Sequence, residues 1–535
     1  MAVEYAILGA RVRTMDAEAP HATAVAWTGG EIVAVGGDAE IRELCDARTQ
    51  VIDGTGRTMT PGLTDGHQHL FHGAELGRGA TFDRVASLAD LRDRIRAERR
   101  RVGAGAWVTG YAVEYAAFEG ARYHHDLIDE TAGPGPMFLY ALDLHTAFVN
   151  AEALRIAGVT GPVDFGVGAI VACDEDGPTG ELNEMAAMRL VMDKIPAATQ
   201  AQRLDWVRDA IADQNAVGLT AIHQMDGDAE TLAQLAALEQ DGHLGLRVLL
   251  HQFVYPTTGD DEVAEMIGTW GRAGRQWSYR GAKFMLDGVI DTGTAWLEEA
   301  DTHGDGRDPY WPDIARYRRR IRQFHDAGFS IATHAIGDRA VREALDTYAA
   351  LPGGSGGRHR IEHIEAAPDA LVGRFRAEGV TASMQPIHMR WLRPDLSDPW
   401  SERLGAHRCD RAFRSGDISG SGALVVLGSD WPVAPYDPRM GFFAARARRA
   451  PDVTDPRAIG ASRPLTGEEV LAGYTVNAAR AAGDAAGGML RPGLRADLVA
   501  WADDPVTCAT ADVTDLPVDL TVAGGRIVHR SGSVG

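Results

Sequence analysis

From Gly218 onward, seven short apolar runs succeed one another with helix-length stretches between them. They are Gly218-Leu-Thr-Ala-Ile-His-Gln, Leu246-Arg-Val-Leu-Leu-His-Gln, Gly281-Ala-Lys-Phe-Met-Leu-Asp, Phe329-Ser-Ile-Ala-Thr-His, Arg360-Ile-Glu-His, Val380-Thr-Ala-Ser-Met-Gln and Ala423-Leu-Val-Val-Leu-Gly-Ser-Asp. Alternating strand and helix patterns build a parallel sheet wrapped by helices. An earlier run, Thr60-Pro-Gly-Leu-Thr-Asp-Gly-His-Gln-His, supplies one more strand. Eight is the count of a (β/α)8 barrel, and such barrels place their chemistry at the C-terminal ends of the strands.

The polar residues at those ends are therefore the ones to weigh. Side chains alternate faces along a strand, so His67 and His69 point the same way and can grip one metal ion. Two ligands do not hold a catalytic ion, and a hydrogen-bonded histidine pair is the competing reading. His334, His363 and Asp430 each close a later apolar run, which gathers four imidazoles and a carboxylate around one barrel mouth. Lys283 lies in an apolar strand, where an ammonium is costly unless paired or neutralised. It either forms a carbamate with carbon dioxide, which would bridge two metals, or pairs with Asp287 or a substrate carboxylate. His223 and His251 read as satisfied barrel histidines, and Arg316–Arg322 as a solvated helix face.

The two chain ends have a different texture, short apolar runs between glycine turns: Tyr5-Ala-Ile-Leu-Gly and Ala22-Thr-Ala-Val-Ala-Trp at one end, Ala496-Asp-Leu-Val-Ala-Trp and Leu520-Thr-Val-Ala-Gly-Gly at the other. Neither set buries a core alone, so the ends are expected to join in one small β-sandwich. The expected division is 1–58 and 485–535 for the sandwich and 59–484 for the barrel. A large, less regular insertion at about 80–200, after the first barrel strand, would lie over the mouth and shape the substrate pocket. Asp338 reads as the N-cap of the helix over 339–350.

A formal charge of −22 repels phosphate backbones and anionic membranes, which argues against nucleic acid and membrane partners. Four scattered cysteines without a C-x-x-C pair give neither a disulfide framework nor a thiolate zinc site, in keeping with a cytoplasmic protein. No apolar stretch is long enough to span a bilayer, and the N-terminus does not read as a signal peptide.

Taken together, Thr60-Pro-Gly-Leu-Thr-Asp-Gly-His-Gln-His, Lys283-Phe-Met-Leu-Asp-Gly, His334-Ala-Ile-Gly-Asp-Arg-Ala, Arg360-Ile-Glu-His, Gly428-Ser-Asp-Trp-Pro-Val, Tyr474-Thr-Val-Asn-Ala-Ala and Pro492-Gly-Leu-Arg-Ala-Asp-Leu-Val resemble the amidohydrolase superfamily, in particular its YtcJ-like branch. The resemblance runs essentially end to end. It implies one or two divalent metals, usually zinc, with His67 and His69 on one ion, His334 and His363 on the other, a carboxylated Lys283 as bridge, and Asp430 as remaining ligand and proton carrier. It also implies cleavage of an amide, formamide or cyclic-amide C–N bond of a small molecule by metal-activated hydroxide. A non-hydrolytic lyase or isomerase, or a catalytically silent binding protein, would use the same barrel. Imidazole and carboxylate also accept iron, manganese or nickel. His145 in the insertion, together with Asp287, Gln385 and Trp431 near the strand ends, are the candidate substrate contacts. Many barrels of this kind form homodimers.

Overall fold

The computed structural model describes residues 3–85, 87–142, 144–165 and 169–532. Asp143, beside His145, and Gly166, at the end of the glycine/proline stretch from Gly161, lie outside them. The chain forms two compact units, one built from the residues up to His69 with those from Ala210 onward, the other from Leu70–Asp209.

The barrel strands of the first unit are β1 (Leu63–Gln68), β2 (Leu219–Gly227), β3 (Arg247–Phe253), β4 (Trp277–Met285), β5 (Ser330–Ala335), β6 (Arg360–His363), β7 (Thr381–Met384) and β8 (Val425–Leu427). They pair in parallel in that order, as the (β/α)8 pattern requires. Closure comes from backbone bonds just beyond β8: Asp430 N donates to His67 O at 2.7 Å and His69 N to Trp431 O at 2.9 Å. Asp65 fastens the same seam, accepting from Ser429 N and Oγ and from Gln68 Nε2. Gly66 lets β1 lie against β8, since a side chain there would run into Val426. Register then decides what meets at the mouth. His334 lies beside Met285, and His363 beside Ala335.

Both chain ends enter the same small sandwich. One sheet runs Glu31–Gly36, Ala24–Thr28, Tyr5–Leu8, Gln50–Asp53, and the other runs Arg526–Arg530, Val518–Ala523, Leu498–Trp501, Thr58–Pro61, Arg11–Arg13, His21–Ala22. Thr58–Pro61 pairs antiparallel with Leu498–Trp501, so strands from opposite ends complete one ladder. Ile7, Val25, Trp27, Leu498, Leu520 and Val522 share its core.

The second unit is more regular than its sequence suggests. A six-stranded sheet runs Ile170–Asp174, Gly177–Asn183, Thr146–Val149, Met137–Ala141, Val108–Val113, Ala80–Thr81. Helix Leu88–Val102 packs Leu91 and Ile95 into a core with Phe82, Val108 and Phe148, and Ser87 caps its N-terminus. Arg99 turns inward and donates to four backbone carbonyls, those of Gly103, Ala106, Ala132 and Pro136. Such buried loop carbonyls must be satisfied, and one guanidinium serves them all.

Two local expectations are corrected. Gly337, not Asp338, occupies the N-cap of helix Asp338–Ala349; the Asp338 carboxylate accepts from Glu298 N at 2.9 Å. Arg320, in the basic run, is buried and donates to Thr258 O at 3.2 Å, because helix Ile314–Asp326 turns that side inward.

One surface pair gives a pH-dependent prediction. Hydrogen bonds from Arg463 hold Glu469 down at about 2 against partial burial, while Glu469 completes a capping box with Thr466. A depressed carboxylate stabilises the fold above its unfolded pKa, and that contribution disappears as pH falls through the folded value. The Arg463 side chain is 40 % exposed, so the linkage is discounted for screening to about 1 kcal/mol. Glu469→Gln is therefore expected to lower stability by about 1 kcal/mol at pH 7. Urea midpoints of the two proteins should converge between about pH 4.5 and 2. An undiminished gap at pH 3 would contradict this.

Candidate metal centre at the barrel mouth

Asp430 stands at the centre of the strand-end residues. Its Oδ1 lies 3.3 Å from His67 Nε2 and 3.0 Å from His69 Nε2. Its Oδ2 lies 4.0 Å from His363 Nδ1 and 3.8 Å from His388 Nε2. One carboxylate thus divides its two oxygens between two imidazole pairs. Both Asp430 (φ 61°) and His363 (φ 75°) adopt left-handed backbone conformations unfavourable for residues with a Cβ. Strain of this sort costs about 1–3 kcal/mol and persists where the surroundings hold a side chain in place.

Three observations fit a divalent cation among these donors. His67, His69 and Asp430 offer ligand atoms within 4.8 Å of one another, as do His363, His388 and Asp430. Bonds of about 2.0–2.2 Å to one ion put neighbouring ligands roughly 3–3.6 Å apart, the range of the Asp430 contacts with His67 and His69. His363 Nδ1 is buried with no hydrogen-bond partner among the described residues, an arrangement that is costly unless something else meets that lone pair. Charge agrees with the geometry. Burial opposes a charged imidazole, yet Asp226 and Asp430 lift His69 to about 10, so the mouth favours positive charge. Asp430 is held well below the usual carboxylate range despite its burial, chiefly by His67 and His69.

Lys283 is buried beneath this group, with Nζ 3.3 Å from His67 Nε2. Burial pushes it down to about 8, against the attraction of Glu362 and Asp430. Asp287 is not its partner: its carboxylate accepts from the backbone amides of Trp296, Ile336 and Gly337 at 2.8–3.0 Å, and burial raises it to about 7. Asp287 thus ties the turns after β4 and β5 together. His334 faces His363 with ring centroids 4.4 Å apart, and its Nε2 lies 3.3 Å from Gly288 O.

The remaining candidates are dispersed. Gln385 is fully buried, and neither amide atom has a partner among the described residues. Trp431 lends its carbonyl to barrel closure and packs its ring edge-on to Tyr436 at 5.3 Å. His145 belongs to the other unit, where its Nδ1 is 3.3 Å from Glu184 Oε2. That unit also brings His124, His125 and Asp126 together, but each ring already has its Nδ1 engaged: Asp126 N donates to His124 Nδ1 at 3.2 Å, and His125 Nδ1 pairs with Asp129 at 2.7 Å.

Several residues at the mouth escaped the reading of the sequence. His388 follows β7 in a 3-10 turn, Pro386–Trp391, where no strand spacing marks it. Asp226 ends β2, which runs beyond its apolar stretch, and its carboxylate lies 3.1 Å from His69 Nδ1. Glu362 lies 2.6 Å from His67 Nδ1 and is itself gripped by Arg360. For these two a signal existed: Arg360 and Glu362 stand two residues apart in a strand, hence on one face. His223 and His251 stand in the barrel: His223 Nδ1 accepts from Arg360 at 2.7 Å, whereas His251 Nδ1 lies 3.3 Å from Gln224 O and its buried Nε2 has no hydrogen-bond partner among the described residues.

Comparison with known proteins adds an independent line. The model of a family described as "Amidohydrolase family" matches residues 50–529. The putative amidohydrolase YtcJ of Bacillus subtilis (strain 168) is 26 % identical, with 98 % of each chain covered. N-substituted formamide deformylase of Arthrobacter pascens is 27 % identical, again with 98 % of each chain covered. Among solved structures, an uncharacterized metal-dependent hydrolase from Pyrococcus horikoshii OT3 superposes with a TM-score of 0.75 at 21 % identity, covering 95 % of this chain and 99 % of its own.

Proposed function

Because the chain belongs to the amidohydrolase family, we propose that it is a metal-dependent hydrolase cleaving the C–N bond of a small amide, formamide or cyclic amide. The observation that carries this reading is the Asp430 carboxylate shared between two imidazole pairs, with a buried, unpartnered His363 nitrogen beside it. His67, His69, His363, His388 and Asp430 are the donors that would hold the ion or ions, with His334 beside them, and an imidazole-rich set suits zinc. A divalent ion there lowers the pKa of water from 15.7 towards about 7 and polarises a carbonyl.

The protein's own groups do the rest. Asp430, a carboxylate at neutral pH, accepts the proton of the attacking water and returns it to the leaving nitrogen. The buried Lys283, its amine more often uncharged than an exposed lysine's, would add to carbon dioxide and lose a proton to water, giving a carbamate whose oxygens would join the donor set. The Gln385 amide, without a partner among the described residues and able both to give and to accept a hydrogen bond, is the group proposed to meet the substrate amide. The deformylase relative at 27 % identity makes N-substituted formamides the first class to try. Among the described residues no helix is long and apolar enough to cross a membrane.

The test is paired detection of released amine and acid over a formamide and cyclic-amide panel, with native, chelator-stripped and zinc-refilled protein. The proposal expects turnover that vanishes on stripping and returns on refilling. Metal-independent turnover, or product formation without release of amine, would overturn it.

A further inference from the structure

We infer that Asp226 and Glu362 are positioning residues that fix the tautomers of His69 and His67, so that both imidazoles present a bare Nε2 to the metal position; the inference rests on the metal-centre reading above. Its basis is that the two rings are held in the same way from different strands. His67 turns Nδ1 to Glu362 Oε2 at 2.6 Å and Nε2 to Asp430 at 3.3 Å. His69 turns Nδ1 to Asp226 Oδ2 at 3.1 Å and Nε2 to Asp430 at 3.0 Å. A carboxylate only accepts hydrogen bonds, so once an ion takes the place of a proton between Nε2 and Asp430, each outer carboxylate keeps the ring proton on Nδ1 and leaves the Nε2 lone pair to the ion. A neutral imidazole in solution would divide its proton between the nitrogens, and the wrong tautomer cannot ligate through Nε2.

The two supports are built differently. Glu362 is fully buried and anchored by Arg360, whose guanidinium also donates to His223 Nδ1, Gly66 O and Ser383 Oγ, tying β6 to β2, β1 and β7. With its charge compensated, Glu362 holds His67 at a fixed angle beneath the mouth. The Asp226 side chain is 26 % exposed, sits at the end of β2, and accepts from Gln224 Nε2. It is the more adjustable support, and the ligand it aims is the partly exposed member of the H-x-H pair.

The experiment uses full-length protein stripped of metal and titrated with Co(II), read by visible absorption and by chelator competition. Glu362→Gln and Asp226→Asn are each expected to weaken Co(II) binding about 10–100-fold and alter the absorption envelope. In the Zn(II)-loaded proteins, ¹⁵N shifts of labelled histidine should report Nδ1–H with a ligated Nε2 for both rings in the wild type and an altered pattern for one ring in each variant. Because Asp226→Asn leaves the Arg360–Glu362 pair intact, its result stands if Glu362→Gln fails to fold. Wild-type Co(II) affinity, spectrum and tautomers in Asp226→Asn would overturn the inference while the metal reading survives. A wild-type protein that takes up no Co(II) would overturn both.

Discussion

Asp430→Asn is expected to lower turnover by about 10²–10⁴-fold with the metal site saturated and the fold intact. Asparagine keeps the shape and an acceptor oxygen, so the backbone bond from Asp430 N to His67 O that closes the barrel is undisturbed. What disappears is the negative charge between the two imidazole pairs and the group proposed to accept a proton from water. An amide can do neither at neutral pH. The variant should therefore bind metal more weakly, and added metal should restore occupancy without restoring kcat. Near-wild-type kcat at full occupancy would remove Asp430 from the proton path and leave it a ligand only.

Arg360→Met should have the largest effect on stability, about 3–5 kcal/mol, because it leaves the Glu362 carboxylate buried without its cation. Burial alone would raise Glu362; Arg360 is the main counterweight that holds it well below the usual range. The double replacement Arg360→Met/Glu362→Leu removes both charges, and pairs exchanged for apolar residues of similar volume are often neutral or stabilising. It is thus expected to recover part of the lost stability in urea denaturation, since Gly66 O, His223 Nδ1 and Ser383 Oγ stay without their donor, but not the Co(II) affinity, since His67 would lack its Nδ1 acceptor. Recovery of both would mean that the buried pair serves the fold alone.

The barrel was legible because its strands are closed apolar runs with polar ends, a pattern that survives without knowledge of partners. The mouth was legible only in part. His67, His69, His334, His363 and Asp430 carry the strand-end signal, and each stands at the mouth. His388 does not, since a 3-10 turn has no period long enough to read. Glu362 hid behind His363 in the same motif: its spacing from Arg360 marks the pair, but its importance is a contact with a strand almost three hundred residues away, which that spacing does not encode. Asp287 shows the converse. An aspartate after a strand can meet a substrate or a turn's amides, and only the fold decides that it meets Trp296, Ile336 and Gly337. The insertion looked irregular because its strands are short and broken by glycine and proline, yet side chains such as Phe82, Val108 and Phe148 give it a core of its own.

The shared ladder of the sandwich has a consequence for biosynthesis. Thr58–Pro61 emerges from the ribosome about 440 residues before its antiparallel neighbour Leu498–Trp501. At about 5–20 residues per second, the first strand waits roughly 20–90 seconds for its mate. Over that interval its open edge and the apolar face carrying Ile7, Val25 and Trp27 are exposed to other nascent chains in a polysome. Keeping that edge and face covered until Leu498–Trp501 arrives is the demand this topology places on the cell that makes the protein.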